Sequence, residues 1–179
     1  MPDRVNFSKQ QPEIQSLAGY YNDVESSLKL YFSPDAQSYP VRFVGYSHAE
    51  VRKELQERLT ELELASALTV LSAIEAAFRV DYLQRCYRKQ KDDVSRAFRE
   101  LHKRKGSRVS LEDEILEIWK NRAAGTSAVV AGLRAAFRFR HWLAHGRYWE
   151  PKCQKYDYFT VYSLAEMALS RFDLLGPDA

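Results

Sequence analysis

The sequence predicts an all-α helical bundle, and three observations carry that prediction. Gly and Pro number only 7 and 6 in 179 residues, so long stretches run without a breaker. Between the breakers Ala, Leu, Glu, Arg and Lys dominate, residues that lose little on entering a helix. Apolar positions recur at steps of three and four and are bounded by capping residues. At 45% hydrophobic and 13% aromatic, the chain can bury a sizeable core, which argues against wholesale disorder. Its length suits one domain with an added arm.

Residues 1–46 read as an N-terminal arm or accessory helix, and residues 47–179 as the bundle. In the arm, Ile14, Leu17, Tyr20, Tyr21, Val24 and Leu28 lie near helical spacing and predict a helix over 14–30. Ser33-Pro34-Asp35 breaks it. Pro40-Val41-Arg42-Phe43-Val44-Gly45 is β-branched and alternating, so it reads as a short isolated strand or an extended arm. Ser47 followed by Glu50 fits a capping box, which opens a segment free of Gly and Pro to about residue 88. Val51, Leu55, Leu59 and Leu62 form its first stripe. Leu64, Leu68, Leu71, Phe78 and Tyr82 form a second, rotated one. A run of about 40 residues is either one long helix or two with a bend.

Residues 91–105 predict a charged helix with Val94, Phe98 and Leu101 inward, closed by Lys103-Arg104-Lys105-Gly106 where cations suit a helix C-terminus. Ser110 caps a short helix through Ile115, Ile118 and Trp119. Gly125-Thr126-Ser127 ends that helix and caps the next, over 128–144. After a loop containing Pro151, a last helix over 158–175 carries Phe159, Tyr162, Leu164, Met167, Leu169 and Phe172 and ends at Gly176-Pro177.

The net charge is +3 with a pI near 8.8, too mild to argue for nucleic acid without a local patch. Cys86 and Cys153 lie far apart with no CxxC pair, which reads as free thiols in a reducing compartment. No apolar run approaches a membrane span, and Met1-Pro2-Asp3-Arg4 lacks a secretory pattern. The expectation is a cytoplasmic protein with no membrane partner.

Chemistry concentrates in Arg138-Phe139-Arg140-His141-Trp142-Leu143-Ala144-His145-Gly146-Arg147-Tyr148-Trp149. Two histidines, three arginines and two of the three tryptophans crowd there. On the helix over 128–144, Leu133, Phe137, His141 and His145 are spaced by four. Val129, Leu133, Ala136, Arg140 and Leu143 form the neighbouring line, so Arg140 and His141 are expected at the core boundary. His145 precedes Gly146, a natural left-handed cap, and the helix C-terminus favours its protonated form. Such a histidine can give or take a proton, or simply cap the helix.

Glu75 interrupts the second stripe of the long helix, where a carboxylate is costly unless paired. Arg140 is the attractive partner. Glu75 then either orients a catalytic Arg or His, or sits at a helix bend and reaches water. His141 and His145 lack the third ligand and following Glu of a zinc site, so no metal is expected. Residues 85–91 and 102–105 are basic runs that a solvated helix end explains, and that would hold an RNA backbone if they lay beside the motif. Cys86 reads as an ordinary thiol.

Arg140-His141-Trp142-Leu143-Ala144-His145 resembles the Arg-x4-His signature of the HEPN superfamily (higher eukaryotes and prokaryotes nucleotide-binding domains). A polar residue after the Arg, a small residue before the second His and a Gly after it all fit. Residues 65–78 resemble the family's core helix, and the resemblance covers about residues 47–175. One branch, partnered by nucleotidyltransferase antitoxins, places a Tyr two residues after the His; Tyr148 stands three after it.

The resemblance implies a metal-independent endoribonuclease without cofactor, built as a homodimer with a composite active site. Arg140 and His145 would be its working pair, with His141 in support and Glu75 as the outside member. Arg138 and Arg147 would line the RNA cleft, and the tryptophans would either stack on bases or pack the fold. The chain would then be a toxin or phage-defence effector, with an antitoxin or inhibitor protein as a further partner. The alternative is a non-catalytic module of the same kind serving dimerisation or RNA and nucleotide binding. A DNA-binding reading lacks any helix-turn-helix signal.

Overall fold

The structure is a computed structural model that describes residues 4–8, 10 and 12–177; Met1, Pro2 and Asp3 lie outside them. The described residues form seven α-helices and one π-helical turn, with no strand: α1 (Ile14–Tyr31), α2 (Tyr39–Arg42), α3 (His48–Tyr87), α4 (Asp93–Lys105), the π-helical turn (Leu111–Ile115), α5 (Leu116–Arg122), α6 (Ser127–Ala144) and α7 (Tyr158–Arg171). The all-α class is therefore as the sequence predicts.

α3 is a single helix of 40 residues, about 60 Å long at 1.5 Å per residue. Its start is the anticipated capping box, with the Ser47 hydroxyl accepting from Glu50 N and the Glu50 carboxylate from Ser47 N. The helix is the axis of the bundle, against which α1, α4, α6 and α7 pack. Ala67, Val70, Leu71, Ile74, Phe78 and Tyr82 are buried along it. Each large side chain among these contributes about 1.5–3 kcal/mol by leaving water. The N-terminal half meets a smaller cluster of Phe32, Phe43 and Val51, which joins α1, α2 and α3. α1 also enters the main core through Ile14 and Tyr21.

The stretch expected as a strand or extended arm is α2, a single helical turn. Pro40 sits in its first turn, where a fixed φ and a missing N–H cost nothing. A lone strand would leave its backbone groups without ladder partners. Only Phe43 of the alternating set is buried; Val41 and Val44 face water.

α4 buries Val94, Phe98 and Leu101 as expected, and the structure adds Asp92 as its cap. Thr126 departs from it. Its hydroxyl does not cap α6 but donates to the Trp119 and Ala123 carbonyls, closing α5 behind it.

α7 differs in face and length. Its buried residues are Tyr158, Val161, Ala165 and Ala168, whereas Phe159, Met167 and Leu169 are exposed. Small side chains turn inward because α7 is close-packed, as at Gly132 of α6, where an added Cβ would meet Leu164 at 3.1 Å. The helix stops at Arg171 rather than near residue 175. Phe172 then turns extended and plugs the core edge-on to Phe78 and Trp119.

The tail beyond α7 is fastened to buried polar groups of α3. Leu175 N donates to Asp81 Oδ1 at 2.9 Å, Arg85 donates to the Asp173 carbonyl, and Gln84 Nε2 donates to the Gly176 and Pro177 carbonyls. Arg85, expected in a solvated basic run, is instead buried, with Nε 2.7 Å from Asp81. Burial pushes the neighbouring Cys86 thiol up to about 12, which leaves it inert. No helix among the described residues is long and apolar enough to cross a membrane.

Candidate active site

α6 delivers the motif to one end of the bundle. Val129, Val130, Leu133, Ala136, Phe137 and Phe139 bury its inner face and fix its rotation. The helix ends in a Schellman arrangement: Arg147 N donates to Trp142 O and Gly146 N to Leu143 O. That geometry needs a left-handed residue after the cap, and Gly146 supplies it at φ +78°. His145 is thereby set at the C-cap. Arg147 also takes a positive φ, +59°, and a bidentate pair with Glu61 of α3, at 2.8 and 2.9 Å, holds it there.

One turn earlier, Arg140 crosses to α3. Its Nη2 lies 3.0 Å from Glu75 Oε2, with the two side chains 33% and 20% exposed. Glu75 also accepts from Arg79 Nε at 2.8 Å, and Arg79 in turn donates to the Val109 carbonyl. α3 is continuous through Glu75, so the carboxylate sits at no helix break; it joins two cations at the core boundary. Arg140 Nε is buried and has no partner among the described residues. The side chain, one-third exposed, lines a pocket of about 220 Å³ walled also by Glu75, Arg79, Ser110, Glu112 and His141.

His141 is exposed rather than at the core boundary, although it lines this pocket. His145 is exposed too and lies against it, ring centroids 4.2 Å apart. His145 does not itself wall the Arg140 pocket; it lies beside His141, which does. Trp149 stands over both histidines, at 6.1 and 6.3 Å. Trp142 is buried and holds the following loop, donating from Nε1 to the Trp149 carbonyl at 2.7 Å. Of the two cleft arginines expected from the sequence, Arg138 is exposed without an ion-pair partner among the described residues, while Arg147 is committed to Glu61.

Sequence reasoning misses two members of this site. Arg79 is legible in principle, because i and i+4 residues on a helix meet and Glu75 is its partner. Glu112 is not legible, because the π-helical turn that presents it leaves no clear sequence mark. The Ser110 hydroxyl caps that turn by accepting from Asp113 N. Burial, reinforced by Asp113, raises the Glu112 carboxyl above its ordinary range, against the pull of Arg138 and Arg134. Among the described residues no group of three His, Cys, Asp or Glu side chains is placed to hold a metal ion.

No family model, curated protein or solved structure matches the chain.

Proposed function

We propose that the chain is a HEPN-type, metal-independent endoribonuclease. One observation carries the reading: Arg140, anchored by Glu75, shares a pocket with His141, and the His145 ring lies 4.2 Å from that of His141. A fixed guanidinium beside imidazoles is what phosphoryl transfer without a metal requires: charge stabilisation plus proton movement.

In this reaction Arg140 binds the scissile phosphate and stabilises charge on the pentacoordinate phosphorus. An imidazole takes the proton of the ribose 2′-hydroxyl, whose oxygen attacks in line. The P–O5′ bond breaks, and a second imidazole protonates the leaving 5′-oxygen. The products are a 2′,3′-cyclic phosphate and a 5′-hydroxyl, so only RNA is cut. His145 from each of two copies divides the acid and base roles, and His141 positions them.

A second copy has a surface to meet. Between α6 and α7 lies a groove of about 500 Å³ lined by Gly132, Phe159, Leu164 and Met167, and Phe159 is 60% exposed. Such side chains in water suit a homodimer interface. Light scattering of the purified chain tests this, since a monomer at assay concentration removes the composite site. In this reading the chain acts in the cytoplasm as a toxin or defence effector restrained by an inhibitor protein. Expression of the wild type then arrests growth, and expression of His145→Ala does not.

The deciding experiment is incubation with total RNA in excess EDTA. Cleavage that survives EDTA and disappears in both Arg140→Ala and His145→Ala supports the mechanism. Cleavage that EDTA abolishes overturns it, and absence of any cleavage leaves a binding module.

A further inference from the structure

Beyond His141 lies a second pocket that the cleavage scheme does not use. It encloses about 310 Å³ and is walled by Glu112, Arg138, His141, Trp149 and Lys152, among others. Glu112 and His141 line both this pocket and the Arg140 pocket, so the two are adjoining compartments of one groove. We propose that this second pocket is a guanine-reading subsite, in which the base stacks on Trp149 and its hydrogen-bonding edge meets Glu112 and Arg138. The proposal rests on the endoribonuclease reading of the neighbouring pocket.

Size and placement come first. The volume lies at the lower end of small-molecule pockets and admits one purine ring with its immediate water. Trp149 is half-buried and fixed from below by the hydrogen bond from Trp142 Nε1 to its carbonyl. Its ring stands about equally far from His141 and His145, so a base stacked on it leaves its ribose and phosphate beside the imidazoles.

The choice of base comes from donors and acceptors. The Glu112 side chain takes no hydrogen bond or ion pair among the described residues, although it is half-buried and burial penalises its charge. Its backbone is held fast, because Arg134 donates twice to the Glu112 carbonyl. A carboxylate without a partner at the wall of a pocket, carried on a backbone held in place, is an acceptor open to donors. An ionised carboxylate only accepts and a guanidinium only donates. Guanine presents two adjacent donors, N1–H and the N2 amine, which match the two carboxylate oxygens. It also carries acceptors at O6 and N7 for an arginine. Adenine and cytosine each set an amine beside a ring acceptor, and uracil sets one N–H between two carbonyls. None of these three offers a carboxylate two neighbouring donors.

The test uses short RNAs in which the bases on either side of the cut are varied among guanine, inosine, adenine, cytosine and uracil. Inosine keeps N1–H, O6 and N7 and lacks only the N2 amine. Wild type is expected to cut guanine-containing sites at least about 10-fold faster than inosine sites, the scale of one good base contact. Glu112→Gln, whose amide pairs an acceptor with a donor, shifts the preference toward adenine. Cleavage indifferent to base, or a guanine preference that Glu112→Gln leaves intact, overturns the subsite while leaving the nuclease reading in place. Should wild type cut no RNA, the subsite is decided by binding. Guanosine 2′,3′-cyclic phosphate is titrated against tryptophan fluorescence beside its inosine counterpart. Quenching that is weaker for inosine and lost in Trp149→Phe supports the subsite; equal or absent binding of the two overturns it.

Discussion

The Glu75 carboxylate lies 3.0 Å from the Arg140 guanidinium, and this pair ties the motif helix to the long helix at the wall of the pocket. Removing the carboxylate strands a guanidinium that is two-thirds out of water. Glu75→Ala should therefore cost about 1–3 kcal/mol, the penalty of an unsatisfied buried polar group. For a chain of this size that lowers the melting temperature by about 2–4 °C per kcal/mol. Glu75→Gln keeps an acceptor and should lose less stability. If Glu75 positions Arg140 for phosphate, RNA cleavage falls in the order wild type, Glu75→Gln, Glu75→Ala, with KM rising as well as kcat falling. Unchanged kinetics in a folded Glu75→Ala protein would reduce the pair to a structural tie.

The 4.2 Å spacing of the His141 and His145 rings separates two versions of the mechanism. With His145 of two copies sharing the acid and base roles, His145→Ala loses about 10²–10⁴-fold in turnover. His141→Ala then loses less, because it only supports its neighbour. Rate measurements on each folded variant check this. An equal or greater loss in His141→Ala would show that the two imidazoles of one chain do the proton transfers between them.

Much of this site is legible because the signals are local. Ser47 and Glu50, Ser110 and Gly146 each mark a helix end through bonds to backbone a few residues away. Glu75 betrays its need for a cation by interrupting an apolar stripe. What is hidden depends on tertiary approach. Pro40 to Gly45 alternates like a strand, but no second strand exists among the described residues to receive it. The large apolar residues of α7 suggest an inward face, whereas close packing selects Ala165 and Ala168 and leaves Phe159 and Met167 outside. Glu112 enters the groove only because a π-helical turn carries it beside His141.

Two glycines should respond to alanine with opposite signs. An added Cβ meets nothing within 4 Å at Gly146 or Gly19, so space decides neither. Gly146 holds φ +78°, and an alanine there costs about 1–2 kcal/mol of left-handed strain. It also loosens the cap that sets His145, so cleavage falls with stability. Gly19 lies inside α1 with ordinary helical backbone, where alanine gains about 0.5–1 kcal/mol. Thermal melts of both variants, with RNA cleavage measured alongside, check the pair. A stabilised Gly146→Ala protein would remove the cap from the account of the site.

The buried Asp81 beside Arg85 makes a prediction about pH. Burial pushes Asp81 from its ordinary 3.8 up to about 6, even though Leu175 N, Arg85 and Trp119 pull it down. A carboxyl whose folded value exceeds its unfolded value binds its proton more tightly when folded. Its contribution is therefore fully present below about pH 4 and is lost as pH rises through about 6. The full loss is about 3 kcal/mol at 1.36 kcal/mol per pH unit. Other carboxylates also titrate in this range, so the comparison is with Asp81→Asn, which has no proton to release. Denaturant unfolding of both proteins at pH 4, 5, 6 and 7 should show wild type losing ground to the variant as pH rises. The change should be complete by about pH 7. If wild type instead gains on Asp81→Asn with pH, the Arg85 ion pair outweighs burial, and the tail fastened through Leu175 is held by charge rather than in spite of it.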